Sequence, residues 1–488
     1  MNIKVNNIKI DRYQKKVIKS KSHNLLVLAG AGSGKTFTII AKIKKLIIDG
    51  TLPEEILCIS FTKASSKSLE EKLKKENINI KVRTFHSLGY EIINKYKNIK
   101  ITSENTLKDI IENELKNNKY LKEITNTKFI RVGYPDKIYR KLENNIILNS
   151  KHKERLKEII ITFINLYKAQ NKKIKDFKTF DEINKKDHMY DQVRRHKYFL
   201  NLTKSIIIKY NKTLKKRKEI DYHDMINEAT QIVKIKGIYP YKYIIIDEYQ
   251  DTSLNKTELI KEIQNKTNAK LMAVGDDFQS IYAFTGSNLE IFTDFKNIFP
   301  KSKIIKLKNT YRNPKELLKI TNKFICKNKN QLKKHLKSNK TNKYPIKIYY
   351  YENDIREIWN KVIKEINSKD ILILGRNNKD KNKLPSINKN MKYLTMHKSK
   401  GLESDRTIII NLENTYDSIP SKIEDSEYLT YVKPKIDEFP YAEERRLFYV
   451  ALTRCKNSNY LLVNKRNPSI FVKELIKDYP NNIIIKNL

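Results

Sequence analysis

Short apolar runs, each bounded by glycine, asparagine or charged residues, set the rhythm of this chain. Asn24–Leu28 and Ile56–Phe61 read as buried strands, and each leads into a stretch of helical period, Lys35–Ile48 and Ser65–Lys75. Strand alternating with helix predicts an α/β fold built on parallel sheet. Residues 96–215 change character. Leu107, Ile110, Ile111 and Leu115 recur at helical spacing in Lys-, Asn- and Glu-rich sequence, and the strand-then-glycine punctuation stops. This span reads as a helical insert. From about Ile220 the strand pattern resumes, at Tyr243–Ile246 and Leu271–Val274, and near Thr310 a second α/β block begins, with strands at Ile371–Leu374 and Thr407–Ile410. The expected organisation is a first α/β domain from residues 1–95 and 216–309, an insert over 96–215, and a second α/β domain over 310–488. The cluster Asn377–Lys383 reads as loop.

Length agrees with several cores. At roughly 150 residues per domain, 488 residues suggest about three. No apolar run approaches the roughly 20 residues that span a bilayer. Met1 to Asp11 alternates polar and apolar positions and has no signal-peptide core. The expectation is a soluble, intracellular protein with no membrane partner. Cys58, Cys326 and Cys455 stand far apart with no C-x-x-C pairing, which argues against a disulfide framework or a zinc site. A formal charge of +45 points to polyanions, nucleic acid above all. Lys far outnumbers Arg, and Asn and Ile are abundant, a bias that AT-rich coding also produces. Charge therefore gives the sign of the partner and leaves its identity open.

Chemistry enters with three strand-to-loop elements. Ala29-Gly30-Ala31-Gly32-Ser33-Gly34-Lys35-Thr36 follows a strand and opens a helix, the context in which glycines turn backbone N–H groups onto phosphate oxygens at a helix N-terminus. Lys35 would reach the β- and γ-phosphates of ATP, and Thr36 would hold Mg²⁺. Ile244-Ile245-Ile246-Asp247-Glu248 ends an apolar strand in two acids. Asp247 suits the Mg²⁺ shell, and Glu248 suits activation of the attacking water. In Val274-Gly275-Asp276-Asp277-Phe278-Gln279-Ser280-Ile281-Tyr282, Gln279 can bond both a γ-phosphate and a water. Tyr282 and Phe284 offer faces for stacking bases without reading sequence; core packing is the competing reading of both.

With these strings in view, the chain resembles the superfamily 1 helicases of the UvrD/Rep group, in order over both α/β blocks. The matching segments are Gln14, Ile59-Ser60-Phe61-Thr62, Thr84-Phe85-His86-Ser87, Ile220-Asp221-Tyr222-His223-Asp224 and Asp247-Glu248-Tyr249-Gln250-Asp251-Thr252. In the second block come Thr310-Tyr311-Arg312, then Thr395-Met396-His397-Lys398-Ser399-Lys400-Gly401-Leu402-Glu403, then the run Glu443 to Arg454. Phe284-Thr285-Gly286-Ser287 and Asn309-Thr310-Tyr311-Arg312 are similar to the helicase IV branch.

The resemblance implies two RecA-like P-loop NTPase core domains facing each other across one ATP. It implies that Arg312 and Arg454 reach the γ-phosphate from the second domain and that Gln14 reads adenine. Tyr311 would stack on the base, and Glu403, with Gly401 beside it, would hold the ribose. Thr62, His86, Tyr282 and His397 match contacts to the DNA strand, and Phe471 resembles a base-stacking phenylalanine. The implied activity is an ATP-dependent DNA helicase that moves 3′ to 5′ on single strands and at junctions, during repair or replication, with partner proteins. Two departures stand out. Thr285 occupies a position where the group usually has arginine. Only 18 residues separate Arg376 from Thr395, which leaves no room for the large insert that UvrD and Rep carry there. A DNA-stimulated translocase within a repair or defence complex, and a nucleic-acid binding module with a relic ATP site, are the competing readings.

Overall fold

The computed structural model describes residues 9–116, 124, 150–366, 368–385, 387–434 and 437–486. Most of the Met1–Asp11 stretch, and residues 117–123 and 125–149 of the span read as insert, lie outside the described residues. The first strands are β1 (Asn24–Leu28), β2 (Ile56–Ile59), β3 (Val82–Arg83), β4 (Lys100–Ile101) and β5 (Glu219–Ile220). They are followed by β6 (Tyr243–Ile246), β7 (Lys270–Gly275), β8 (Ser302–Lys306), β9 (Ile346–Tyr351) and β10 (Ile371–Gly375). The last are β11 (Met391–Thr395), β12 (Ser404–Ile409), β13 (Cys455–Asn464) and β14 (Ile483–Lys486).

Two six-stranded sheets result, ordered β3-β2-β6-β7-β1-β8 and β11-β10-β12-β13-β9-β14. Every pairing within them is parallel. The strands are continuous apolar runs because helices cover both faces. Alternate side chains point to opposite sides: Leu26, Leu57, Ile244 and Ile246 join one core, while Leu25, Val27, Cys58 and Ile245 join the other. The second sheet repeats this, with Ile346, Leu372 and Leu461 on one face and Tyr349, Ile373 and Leu462 on the other. β2 stops at Ile59, short of the expected Phe61, because Thr62 accepts from the Ser65 amide at 3.0 Å and starts the next helix. Asn377–Lys383, read as loop, carries a short 3₁₀ helix over Asn378–Lys383. The Asp380 carboxylate accepts the Asn377 amide at 2.8 Å and closes that turn.

Between β4 and β5 the chain builds helices Glu104–Lys116, Ser150–Ala169, Phe177–Asp187 and Tyr190–Arg217. β4, which lies inside the span read as helical, pairs with β5 and roots these helices on the first α/β unit. Lys168, 4% exposed, reinforces the root by bridging Asp221 at 2.6 Å and Asp224 at 2.5 Å. Gln170 donates to the Gly286 carbonyl at 3.1 Å. The helical core is completed from the second unit. In the strap between β12 and the helix Ala442–Leu452, Tyr428 stacks on Phe199 at 4.1 Å, and its hydroxyl donates to the Ile124 carbonyl at 2.6 Å. Tyr431 bonds His196 Nδ1 at 2.6 Å, and Arg195 pairs with Glu427 at 3.1 Å. Among the described residues no helix is long and apolar enough to cross a membrane.

Truncating the buried ring in Tyr428→Ala should cost about 3–5 kcal/mol of unfolding free energy. Tyr428→Phe, which loses only the hydrogen bond, should cost about 1 kcal/mol. Denaturant titration of the two variants checks this; equal, small effects would mean that the strap contributes little to the helical core.

Candidate nucleotide and nucleic-acid site

Parallel sheets gather functional loops at their carboxyl edges. In the first sheet the phosphate-type loop leaves β1, Asp247-Glu248 leaves β6, and Asp276 to Gln279 leaves β7, which lies between them. The loop Ala29–Thr36 turns through left-handed backbone at Gly32 and Gly34. Gly32 has no room for a side chain: a Cβ there would stand 2.4 Å from the Arg312 Cβ. Arg312 and its neighbours come from the second unit and lie on this loop. Thr310 Oγ1 donates to the Ala31 carbonyl at 2.8 Å, and the Tyr311 amide donates to the Gly32 carbonyl at 2.9 Å.

The charged groups meet inside the cleft. Lys35 Nζ lies 2.9 Å from Glu248. Burial works to lower the Lys35 pKa, but Glu248, Asp247 and Asp276 overcome it and hold the ammonium above its usual value. Burial and the adjacent Glu248 charge push the Asp247 carboxyl up, while Lys35 and Lys400 outweigh burial at Glu248 and hold it down. Asp247 is therefore the more readily protonated member of the pair. Gln279 donates from Nε2 to Asp276 at 2.5 Å and accepts from Arg454 Nη2 at 3.1 Å. Arg454, 1% exposed, also donates to the Val450 carbonyl at 2.9 Å. Arg312 pairs with Glu403 at 2.9 Å, and Lys456 reaches the same carboxylate at 3.1 Å. Lys35, Glu248, Gln279 and Arg454 thus come together across the cleft, with Arg312 at its second-unit wall.

The remaining nucleotide-type residues line the mouth. Gln14 is buried, its Oε1 accepts the Asp11 amide at 3.1 Å, and its amide group lies against Gly34. Tyr311 is 52% exposed, and its hydroxyl donates to Asp11 at 2.7 Å. Gly401 has positive φ with open space around it, two residues before Glu403.

A row of rings runs beside the cleft. Tyr282 lies 6.1 Å from Phe61, 6.0 Å from Phe284 and 6.5 Å from His397. Phe284 is 56% exposed, so core packing is not its role, whereas Tyr282 is half-buried and also packs against the second core. Thr62 is exposed at the end of this row, and His86 lies 5.1 Å from Tyr222 farther along the first unit. Burial, then nearby cations, pushes both His86 and His397 down to about 4, so each ring is neutral at pH 7.

Phe471 departs from expectation. It is fully buried, 5.2 Å from Phe324 and 5.8 Å from Phe448, with the Arg445 guanidinium 4.9 Å above it. It lies in the first turn of the helix Ile470–Asp478, whose apolar face, Phe471, Val472 and Leu475, packs into the second core. It has no free face for a base.

Sequence reading passed over several participants. Lys400 Nζ bridges Asp251 at 2.5 Å and the Gln279 carbonyl at 2.7 Å, and Gln250 donates to Glu248 at 2.6 Å. Lys256 lies 4.4 Å over the Phe61 ring, and Arg446 donates to the Ser280 carbonyl at 2.7 Å. Asp251, Gln250, Lys400 and Arg446 sit inside the matched strings, so position alone flagged them; Lys256 carries no sequence signal.

Two outcomes follow from burial. Phe284→Ala should weaken single-strand binding by about 1–3 kcal/mol with little change in stability. Phe471→Ala should instead lose about 3–5 kcal/mol of stability; anisotropy with labelled oligonucleotide and denaturant titration separate the two. For His86 the folded pKa of about 4 lies below the usual 6.5, so its neutral form stabilises the fold above pH 6.5 and that contribution is lost as pH falls toward 4. The unfolding free energy of His86→Gln relative to the parent should therefore improve by up to about 2 kcal/mol between pH 7 and pH 5. A constant offset across that range would mean the ring titrates normally.

Comparison with known proteins completes the picture. Residues 10–300 match the UvrD/REP helicase N-terminal domain, and residues 385–466 match the UvrD-like helicase C-terminal domain. DNA helicase IV of Escherichia coli is 28% identical over 485 residues, covering 95% of this chain and 69% of that protein. ATP-dependent DNA helicase Rep of Buchnera aphidicola (subsp. Acyrthosiphon pisum) is 30% identical over 444 residues, covering 83% of this chain and 61% of that protein. ATP-dependent DNA helicase PcrA of Bacillus subtilis is 25% identical over 354 residues, covering 70% and 42% respectively. With a matched N-terminal domain spanning more than half its length and a matched C-terminal domain beyond it, the chain belongs to the UvrD/REP helicase family.

Proposed function

We propose that this chain is an ATP-driven motor on single-stranded DNA, acting as a helicase that moves 3′ to 5′ and opens duplex during repair or replication inside the cell. One observation carries the reading: Lys35, Glu248 and Gln279 of the first unit meet Arg454 of the second inside one buried cleft. The polarity and the pathway rest on family resemblance, as do partner proteins that would load or direct the motor. The domain roles are part of the proposal: residues 1–95 with 216–309 and residues 310–488 are the two motor domains, and 96–215 is the insert that the first one carries.

In the working cycle ATP draws Lys35 from Glu248 onto its phosphates, and the freed carboxylate takes a proton from the attacking water. Arg312 and Arg454 place cationic charge against the transferring phosphoryl group only when the units are closed. Tyr311 stacks on adenine beside Gln14, while Glu403 and Gly401 border the ribose. The residues fit a divalent cation: the buried Asp247 carboxyl accepts only the Glu248 amide, at 2.9 Å, among the described residues. Burial and the neighbouring charge already oppose its ionisation. Asp247 and the Thr36 hydroxyl would hold Mg²⁺, which supplies neutralisation of the phosphate charge. Single-stranded DNA lies along Thr62, His86, Tyr282, Phe284 and His397, gripped by stacking and phosphate contacts. ATP and ADP stabilise different separations of the units, so each turnover shifts the strand past this row.

A second reading, a translocase that strips proteins without unwinding, is favoured by one feature. The described residues between Arg376 and Thr395 form a 3₁₀ helix and lead into β11, and a span of 18 residues is too short for an added domain.

Glu248→Gln should lower ATP turnover by about 10²–10⁴-fold with strand affinity intact, and Lys35→Ala should do likewise. Near-parental hydrolysis in either variant would remove the site assignment. Short duplexes with a 3′ tail, a 5′ tail or none then test the activity. ATP-dependent opening of the 3′-tailed duplex alone supports the helicase, and brisk DNA-stimulated hydrolysis with no opening supports the translocase.

A further inference from the structure

Asp276 and Asp277 are adjacent carboxylates at the end of β7, and both are fully buried. Like charges so close, away from water, persist only beside a cation. Among the described residues the one cation within ion-pair distance of either is Lys334, whose ammonium bridges both. Lys334 is 4% exposed and lies 3.7 Å from the centre of the Phe278 ring. It belongs to the other unit, in the segment after the helix Lys315–Ile325. That segment is fastened across the cleft at several points. The Leu332 amide donates to Asp277 at 2.8 Å, and Lys306 of β8 donates to the Lys333 carbonyl at 3.1 Å. Leu336 lies against Gly30 of the phosphate-type loop.

Asp276 links this ion cluster to the reaction centre. Its Oδ2 accepts from Gln279 Nε2 at 2.5 Å, and Gln279 Oε1 accepts from Arg454 at 3.1 Å. An ionised carboxylate offers only acceptors, so it dictates which end of the Gln279 amide faces it. Remove the cation and the Asp276 carboxylate loses the partner that holds it in place, so Gln279 Nε2 loses its fixed acceptor. The continuous chain is Lys334, Asp276, Gln279, Arg454, with its two ends on the second unit and its middle on the first.

We infer that Lys334 is a positioning residue for ATP hydrolysis: on closure the second unit inserts its ammonium between Asp276 and Asp277 and thereby aligns Gln279. The inference rests on the motor reading above. It makes Gln279 competent only in the closed arrangement, because separating the units withdraws the ammonium that holds the Asp276 carboxylate against Gln279.

The test is a double-mutant cycle in the full chain, reading kcat and KM for ATP hydrolysis at saturating single-stranded DNA. Lys334→Met should lower kcat by about 100-fold with the KM for ATP and the strand affinity unchanged, and Lys334→Arg should recover much of that loss. In a Gln279→Ala background Lys334→Met should cause no further loss, since both changes remove the same aligned amide. Should Lys334→Met fold poorly, Asp277→Asn/Lys334→Met keeps the net buried charge and should show the same kcat defect and the same non-additivity. A full additional loss in the Gln279→Ala background, or undiminished kcat in the folded variants, overturns the role of Lys334 alone. Absence of DNA-stimulated hydrolysis in the parent protein overturns the motor reading and this inference together.

Discussion

Removing a charge from water costs several kcal/mol per ion unless an opposite charge stands beside it. The cleft between the two sheets is organised around that requirement. Asp251, Asp276 and Asp277 are all buried on loops of the first unit, and the lysines that oppose them, Lys400 and Lys334, belong to the second. Arg446 extends the pattern by donating to the Ser280 carbonyl. Neither unit is electrostatically complete by itself. Closure is thus defined by a set of specific ion pairs as well as by apolar contact, such as Phe278 against Tyr449 at 5.3 Å, and anything that parts the units leaves these acids without their cations. The motor proposed above, hydrolysing ATP only when closed, would need such a well-defined closed state.

Much of the fold and the centre of the site were legible because their signals are local. The apolar runs at Asn24–Leu28 and Tyr243–Ile246 and the glycines around Lys35 carry their meaning within a few residues, and each strand-to-loop element lands at the carboxyl edge of the first sheet. What escaped depends on partners far away in the chain. Lys334 is one lysine in a lysine-rich segment, and nothing near it announces two aspartates from the other unit. β4 and β5 are two residues each, too short to show a period, yet they root the helical span. Phe471 shows the converse failure. A matched position suggested an exposed ring, but the helix it sits in turns that ring into the core, where Phe324, Phe448 and Arg445 enclose it.

The ring row illustrates how a sequence-indifferent surface is assembled. Phe61, Tyr282, Phe284 and His397 come from loops of both units and meet within 6.5 Å of one another along the row. Every base presents a π-face, so such a row grips any sequence. Burial keeps the His397 ring uncharged at neutral pH, so it adds a flat surface there rather than a fixed charge. Lys256 stands over the Phe61 ring and Lys400 over the Tyr282 ring.

The strap has a consequence for how the protein is made. His196 and Tyr431, hydrogen-bonded in the finished molecule, lie 235 positions apart in the chain. When the helical span leaves the ribosome, its core lacks Tyr428 and Tyr431, and their places between Phe199 and Phe180 stand exposed. At about 5–20 residues per second, that apolar surface waits many seconds for the second unit to be synthesised. During that interval the places of Tyr428 and Tyr431 stay unfilled, and the stacking of Tyr428 on Phe199 joins parts of the chain made far apart in time.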